Sequence, residues 1–363
     1  MKPSVLFVGP TRYTLPLPPW LERKWAALEQ ELDYRVLARG SGSGERFTLL
    51  SGSASFYGRL PALIRRELLA FRPDAIVAED PRTASLALLA RALARGPRPR
   101  VVCEVHGNWR HATRLYGSPA RRALSPLVDA LDRCGVRHAD AVRALSGYTA
   151  RLVEAERGRP PDGVFPTYSD LTLFAAEPVQ PLPERPRAIF VGVLEPYKNV
   201  EGLAAAWRRA APLVPDATLV VVGKGPQAAV VARLAADLPG RVEHDPELPP
   251  ERLARRLDEA TVLVLPSRYE GLGRVVIEAF ARGRGVVASR AGGILDLVED
   301  GREGLLADVD DVDGLAGALV RVLSDRALAE RLGAAAHERF PHWNQSAEQF
   351  AERMRALVES ALH

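Results

Sequence analysis

The chain has 363 residues, 26% charged and 47% hydrophobic, with a formal net charge of +4. That length exceeds one typical core and suits two domains, and the composition is that of a globular α/β protein rather than a disordered or disulfide-built one. Cys103 and Cys134 form no pattern, so a reducing, cytoplasmic setting is expected, and no apolar run of about 18 residues offers a membrane span.

The charge is uneven. Residues 1–180 carry roughly 26 Lys and Arg against 18 Asp and Glu, about +8, leaving the remainder near −4. The excess is either a solvated surface or the mark of a front half that meets an anionic acceptor or the inner face of a membrane as a peripheral contact. The basic residues are dispersed and lack an aromatic platform, which argues against a nucleic-acid partner. The scattered histidines show no metal-site spacing, and "DVDDVD" from Asp308 reads as a helix-capping acidic patch, so no metal is expected.

The chain opens with "SVLFVGP" (4–10), an apolar run ended by a glycine turn, which predicts a first strand rather than a signal peptide. "LPPWLERKWAALEQEL" (17–32) follows as an amphipathic helix and "YRVLARG" (34–40) as a strand. "YGRLPALIRRELLAF" (57–71) spaces Leu60, Leu63, Ile64, Leu68 and Phe71 as a helix does. The alternation continues through the strand "DAIVAED", the helix "TASLALLARALARG", the strand "RVVCEVHG", a helical stretch from Ser118 to Ala139 interrupted by Pro126, the strand "AVRALS" and the helix "GYTARLVEAER". The proline-rich "EPVQPLPERPR" (177–187) reads as a linker.

The pattern then restarts. "AIFVGVL", "ATLVVVGKG", "RVEHD", "TVLVLPS", "GVVASR" and "EGLLA" predict strands, with helices between them, and "WNQSAEQFAERMRALVESALH" predicts a final amphipathic helix capped by Asn344 or Ser346. Strands alternating with helices imply parallel sheets covered on both faces. The fold class expected is therefore α/β, two Rossmann-like doubly wound domains facing a cleft, near 1–178 and 184–340, with 344–363 as a closing helix. Ligands are expected at the carboxyl ends of the strands.

One segment combines these signals with charge. In "SRYEGLGRVVIEAFARG" (267–283), Glu270 ends a strand, Gly271, Leu272 and Gly273 form a turn, and a helix begins near Arg274 and Val275. Free N–H groups at such a helix mouth suit a diphosphate. Glu278, about one turn into the helix, is placed to hold the hydroxyls of a ribose, and Glu270 to hold a sugar.

The segment resembles the E-x7-E signature of the retaining glycosyltransferases of family 4, which have the GT-B fold. The resemblance continues through "GGILDLVEDGREGLLA", and upstream through "AIFVGVLEPYKN", "VVVGKGP" and "LARRLDEATVLVLPS"; in the first half it is carried by the strand–helix grammar and "EVHG". It implies hexose transfer from a UDP- or GDP-sugar to a glycan, lipid-linked or small-molecule hydroxyl, with retention of configuration, no cofactor beyond the nucleotide-sugar co-substrate, and no metal. It assigns Lys198, after Gly192, to the diphosphate, and His106 to the donor sugar or its phosphate. The family usually has an arginine where this chain has Val193; Arg274, or less favourably Arg268, is the expected replacement. The acceptor side is expected at Thr11, Arg12, Asp80 and Arg110. By the same resemblance the last helix returns to the first domain. The sequence leaves the oligomeric state open.

Three alternatives stand beside this reading. Gly223, Gly225 and Ala228 satisfy a G-x-G-x-x-A fingerprint, with Glu243 twenty residues beyond Gly223, so an NAD-dependent oxidoreductase is one. A nonhydrolysing sugar-nucleotide epimerase and a catalytically inactive sugar-nucleotide-binding relative are the others.

Overall fold

The computed structural model describes residues 2–52, 54–94, 96, 98–110 and 125–363. Contacts divide the chain into two compact units, residues 1–169 with 345–363, and residues 170–344.

Unit 1 is built from β1 (Ser4–Thr14), α1 (Pro19–Glu31), β2 (Asp33–Ser41), β3 (Phe47–Leu50), α2 (Ala54–Ala70), β4 (Ala75–Ala78), α3 (Pro81–Leu93), β5 (Arg100–Val105), α4 (Ser125–His138), β6 (Ala141–Ala144), α5 (Gly147–Arg157), β7 (Gly163–Val164) and the C-terminal α14 (Ala347–Leu362). Its strands form one parallel sheet in the order β3-β2-β1-β4-β5-β6-β7. Residues before Ser125 in the helical stretch expected from Ser118 lie outside the described residues, and Pro126 falls in the first turn of α4, where its missing N–H costs nothing. β3 was not anticipated, because "FTLL" is too short to carry a period.

Successive strand residues point to opposite faces, and the two cores follow that alternation. Val5, Phe7, Val36, Val77 and Val102 pack against Trp25 and Leu28 of α1 and Phe350, Met354 and Leu357 of α14. Leu6, Val8, Leu37, Ile76 and Val101 pack against α2, α3, α4 and α5 through Leu60, Ile64, Ala87, Val136 and Val153. The final helix thus lies on unit 1. Ser346 caps it in a reciprocal box with Gln349, while Gln345 Nε2 donates to the Pro166 carbonyl at 2.6 Å.

Unit 2 comprises α6 (Thr172–Ala175), β8 (Arg187–Val191), a 3-10 turn (Pro196–Lys198), α7 (Val200–Ala210), β9 (Thr218–Val222), α8 (Ala228–Asp237), β10 (Val242–Asp245), α9 (Pro250–Asp258), β11 (Val262–Leu265), α10 (Arg274–Ala281), β12 (Gly285–Ser289), α11 (Ile294–Leu297), β13 (Gly304–Ala307), α12 (Val312–Ser324) and α13 (Arg326–Trp343). Its parallel sheet runs β10-β9-β8-β11-β12-β13. The acidic run from Asp308 does cap a helix: the Asp311 carboxylate accepts from Gly314 N at 2.9 Å at the start of α12.

The proline-rich segment is not a free tether. Up to Pro186 it carries no regular element, and its prolines cannot supply a ladder of N–H donors. Its carbonyls are instead taken up by arginines of unit 2. Arg282 donates to the carbonyl of Glu177 (2.9 Å) and to that of Phe174 in the preceding α6 (3.1 Å), Arg284 to Gln180 (2.9 Å), and Arg326 to Leu182 (2.9 Å) and Pro183 (3.0 Å). Arg282 is almost wholly buried and also pairs with Asp258 at 2.7 and 2.8 Å. Removing such a buried, fully bonded cation strands its partners. Arg282→Ala should therefore cost about 3–5 kcal/mol, lowering the unfolding temperature of unit 2 by roughly 6–20 °C, and should open residues 176–183 to limited proteolysis. A variant with wild-type melting and an unchanged digestion pattern would show that the clamp is idle.

Candidate functional site

The carboxyl ends of β8 and β11 bring Lys198 and Glu270 together. After β8 the chain makes the 3-10 turn that carries Lys198. Asn199 then adopts a left-handed conformation (φ 56°) and caps α7 by accepting from Gly202 N at 3.1 Å. After β11 the loop is tied to that turn by Arg268 N–H, which donates to the Tyr197 carbonyl at 2.8 Å. The Lys198 ammonium, 9% exposed, consequently donates to Glu270 Oε1, and Glu270 is 8% exposed. The buried Ser267 hydroxyl donates to the same oxygen at 2.8 Å. Ser267 was missed from sequence; its place three residues before the acid, at a strand end, was the available signal.

The turn from Gly271 to Gly273 leads into α10. Gly273 has φ 93°, a left-handed conformation that a side chain would strain, and among the described residues no side chain caps the helix it opens. Leu272 is buried beneath it. The turn is supported from below by Gly293, whose N–H donates to the Glu270 carbonyl at 3.0 Å; a Cβ there would come within 2.2 Å of the Gly271 carbonyl oxygen. Arg274 and Val275 start the helix. The buried Glu278 receives the half-exposed Arg274 side chain at 2.8 Å. Burial raises the Glu278 carboxyl above its ordinary value, and Arg274 pulls it part of the way back.

Of the two arginines considered for the place taken by Val193, Arg268 is committed elsewhere. It pairs with Asp310 at 2.7 Å and donates to the Pro196 carbonyl at 2.8 Å. Among the described residues Arg274 is held only by Glu278, one turn along its own helix. Val193 itself is 48% exposed. Gly192 lies against Lys198, whose Cε is 3.5 Å from where a Cβ would stand.

The glycines of the dinucleotide-like fingerprint have a local explanation. A Cβ on Gly223 would meet the Gly192 carbonyl oxygen at 1.9 Å, and one on Gly225 the Leu194 backbone at 2.7–2.9 Å. They let the loops after β8 and β9 lie against each other, joined by Leu194 N–H to the Lys224 carbonyl at 2.9 Å. Glu243 is paired with Arg256 at 3.1 Å.

In unit 1, His106 follows β5 and is partly exposed. Its Nε2 faces Glu104 Oε2 at 3.6 Å and its Nδ1 lies 3.5 Å from Thr167 Oγ1. Asp80 caps α3, accepting from Thr83 N at 2.7 Å. Arg110 is held by the buried Glu156, which Arg133 and Arg137 also contact at 3.0 and 2.6 Å. Thr11 and Arg12 are exposed on β1, and Thr11 N–H donates to Glu79 at 3.1 Å. Of the acceptor-side expectations, Asp80 and Arg110 thus have structural partners, and the acid nearest Thr11 is Glu79, which the sequence reading passed over for its neighbour.

The Glu278 shift has a measurable consequence. An acid raised in the folded state favours folding most below its unfolded value, near 4.5, and loses that contribution as pH rises through the folded value. The unfolding temperature of wild type relative to Glu278→Gln should be highest near pH 4 and decline toward neutrality. A difference that does not vary with pH would remove the shift.

Residues 176–339 match the family described as glycosyl transferases group 1, and residues 10–167 match the glycosyl transferase 4-like domain. A GDP-mannose-dependent alpha-(1-6)-phosphatidylinositol monomannoside mannosyltransferase of Mycolicibacterium smegmatis is 32% identical over 76% of this chain and 73% of its own length. A D-inositol 3-phosphate glycosyltransferase of Acidothermus cellulolyticus is 36% identical over 44% of this chain and 38% of its own. Among solved structures, sucrose-phosphate synthase from Thermosynechococcus elongatus superposes with a TM-score of 0.77 at 20% identity, covering 99% of both chains. Anabaena Alr3699/HepE in complex with UDP and glucose gives 0.72 at 18% identity, over 98% of this chain and 99% of that one. With its two parallel-sheet units and the matches across both halves, the chain belongs to the glycosyl transferases group 1 family, as a glycosyltransferase of family-4 type with the GT-B fold.

Proposed function

We propose that the protein moves a hexose-type sugar from a UDP- or GDP-sugar to a hydroxyl acceptor, with retention of configuration and without a metal. The observation that carries this reading is the buried Lys198–Glu270 pair on the loops after β8 and β11, with Glu278 and an uncapped helix mouth in the same signature segment. A departing diphosphate gains negative charge in the transition state, and a fixed ammonium with oriented backbone N–H groups stabilises it without reorganisation. Lys198 and the mouth at Gly273–Val275 supply those groups. Glu270 holds the sugar and Glu278 the ribose hydroxyls. Ribose binding at Glu278 releases Arg274, whose guanidinium then serves the phosphates where Val193 cannot. Glu270 already accepts from Lys198 and Ser267, which argues against a free enzyme nucleophile. Same-face attack, with the leaving phosphate taking the acceptor's proton, fits that arrangement. Relatives named for GDP-mannose and a structural neighbour with bound UDP support a nucleotide-sugar donor of either base.

The test is turnover of a donor panel that includes GDP-mannose, UDP-glucose and NAD, with mass analysis and anomeric NMR of the product. One sugar nucleotide should be consumed with retention, and Lys198→Ala should lower its turnover by about 10²-fold or more. Consumption of NAD, an inverted product, binding without turnover, or a fully active Lys198→Ala would each overturn a named part of the proposal.

A further inference from the structure

Unit 2 holds a cavity of about 560 Å³ that shares no residue with the donor site. That volume is within the range of small-molecule sites, roughly 300–1,000 Å³. One wall is α13, where Glu330, Ala334 and Glu338 follow every four residues and His337 stands beside them on the same face. The other wall is the clamped proline-rich segment, through Val179, Pro181 and Leu182. Its carbonyls are committed to Arg282, Arg284 and Arg326, so its side chains form the lining. The hollow has a cause in the sequence. A Cβ on Gly333 would come within 2.3 Å of the Gly283 carbonyl oxygen, so the helix sits close against the turn after α10. Val179 rests on the same turn, where a Cβ on Gly283 would come within 2.5 Å of its Cγ1. Ala334, next along the helix, brings only a methyl group, and the chain leaves the space between the two walls unfilled. Val179 is 40% exposed as a result.

The polar groups around this apolar space are of one kind. Arg284, the one cation in the lining, has spent its N–H groups on the carbonyls of Leu257, Gln180, Gly283, Pro181 and Asp258. Glu330 is paired with Arg326 at 2.9 Å. Gln180 Nε2 donates to the Pro178 carbonyl at 3.0 Å. His337 Nδ1 lies 3.3 Å from the Phe280 carbonyl, which places the proton of the neutral ring there and leaves Nε2 to accept. The ring is held flat against Phe340, with 7° between their planes. Among the described residues Glu338 has no hydrogen bond or ion pair. Apart from the second N–H of the Gln180 amide, the side-chain groups left over are acceptors: Gln180 Oε1, His337 Nε2 and the Glu338 carboxylate.

An anion entering here meets a carboxylate and finds no guanidinium N–H to bind it. An alcohol offers one donor and no charge. An ammonium offers three donors and the opposite charge to Glu338. We propose that this cavity binds an aliphatic amine, with its ammonium on Glu338 and His337 Nε2 and its apolar tail along Val179, Pro181 and Leu182. The bound amine joins the clamped segment to α13 and so adds a brace to the one the three arginines supply.

The experiment uses the full chain and three probes with the same tail: hexylamine, hexanol and hexanoate. Binding is measured by calorimetry, and the brace by amide hydrogen exchange across residues 176–183. Hexylamine should bind saturably, tenfold or more tighter than hexanol or hexanoate, and should slow exchange in that segment. Ala334 and Glu338 lie exposed on the helix, so substitutions there leave the fold intact. Glu338→Gln should weaken hexylamine tenfold or more, and Ala334→Leu, which fills the space, should abolish its binding, each with a wild-type melting temperature. No saturable binding of hexylamine, equal binding of the three probes, or unchanged hexylamine affinity in both folded variants would overturn the site. A chain that sediments as a dimer and becomes monomeric with Ala334→Leu would give the groove to a second copy and overturn it too.

Discussion

The buried contact between Lys198 and Glu270 is the constraint around which the candidate donor site is arranged. Two charges removed from water gain little net stability from each other, so the fold has no thermodynamic reason to bury a lysine where an apolar residue would pack. What holds the pair in place is expensive local geometry. A left-handed Asn199 starts the helix after the lysine, and a left-handed Gly273 starts the helix after the acid. Gly293 lets a second turn close beneath the loop, and Arg268 laces one loop to the other. Each device sits at the carboxyl end of a strand, where a parallel sheet releases its chain into a loop and the next helix presents its positive end.

The same rule explains why unit 1 concentrates its charges where it does. Interior strand positions such as Ile76, Val77, Val101 and Val102 are covered on both faces and accept only apolar side chains. Polar groups are therefore pushed to the strand ends, where Glu79, Glu104 and His106 appear together. Arg143, the register partner of Glu104 one residue before the end of β6, is buried with it; it is tolerated because Glu104, Thr167 and the Phe165 carbonyl satisfy it and the Phe165 ring lies 4.5 Å away.

Much of this was legible in the sequence, and the reasons for success and failure are physical. Runs such as "TLVVV" and "VLVL" announce buried parallel strands, and the signature segment exposes its acids and glycines in one short window. The Ser346 cap was readable because capping acts over three residues. Contacts between distant segments were not readable. Nothing near "EPVQPLPERPR" says that Arg282, Arg284 and Arg326 will take its carbonyls, so a clamped strap reads as a linker. In "AEDPR" the capping role falls to Asp80 because a proline follows it; only the neighbouring strand reveals that Glu79 faces Gly9 and Tyr13.

In the proposed donor site Lys198 and the uncapped start of α10 grip a pyrophosphate. Phosphorus NMR of UDP and GDP titrated with the full chain tests it most directly. One nucleotide should show a shifted and broadened β-phosphorus resonance, and Lys198→Met should abolish the change while its melting temperature shows it still folded. Resonances of both nucleotides left at their free positions by the wild-type protein, or perturbed equally by the folded Lys198→Met variant, would contradict it.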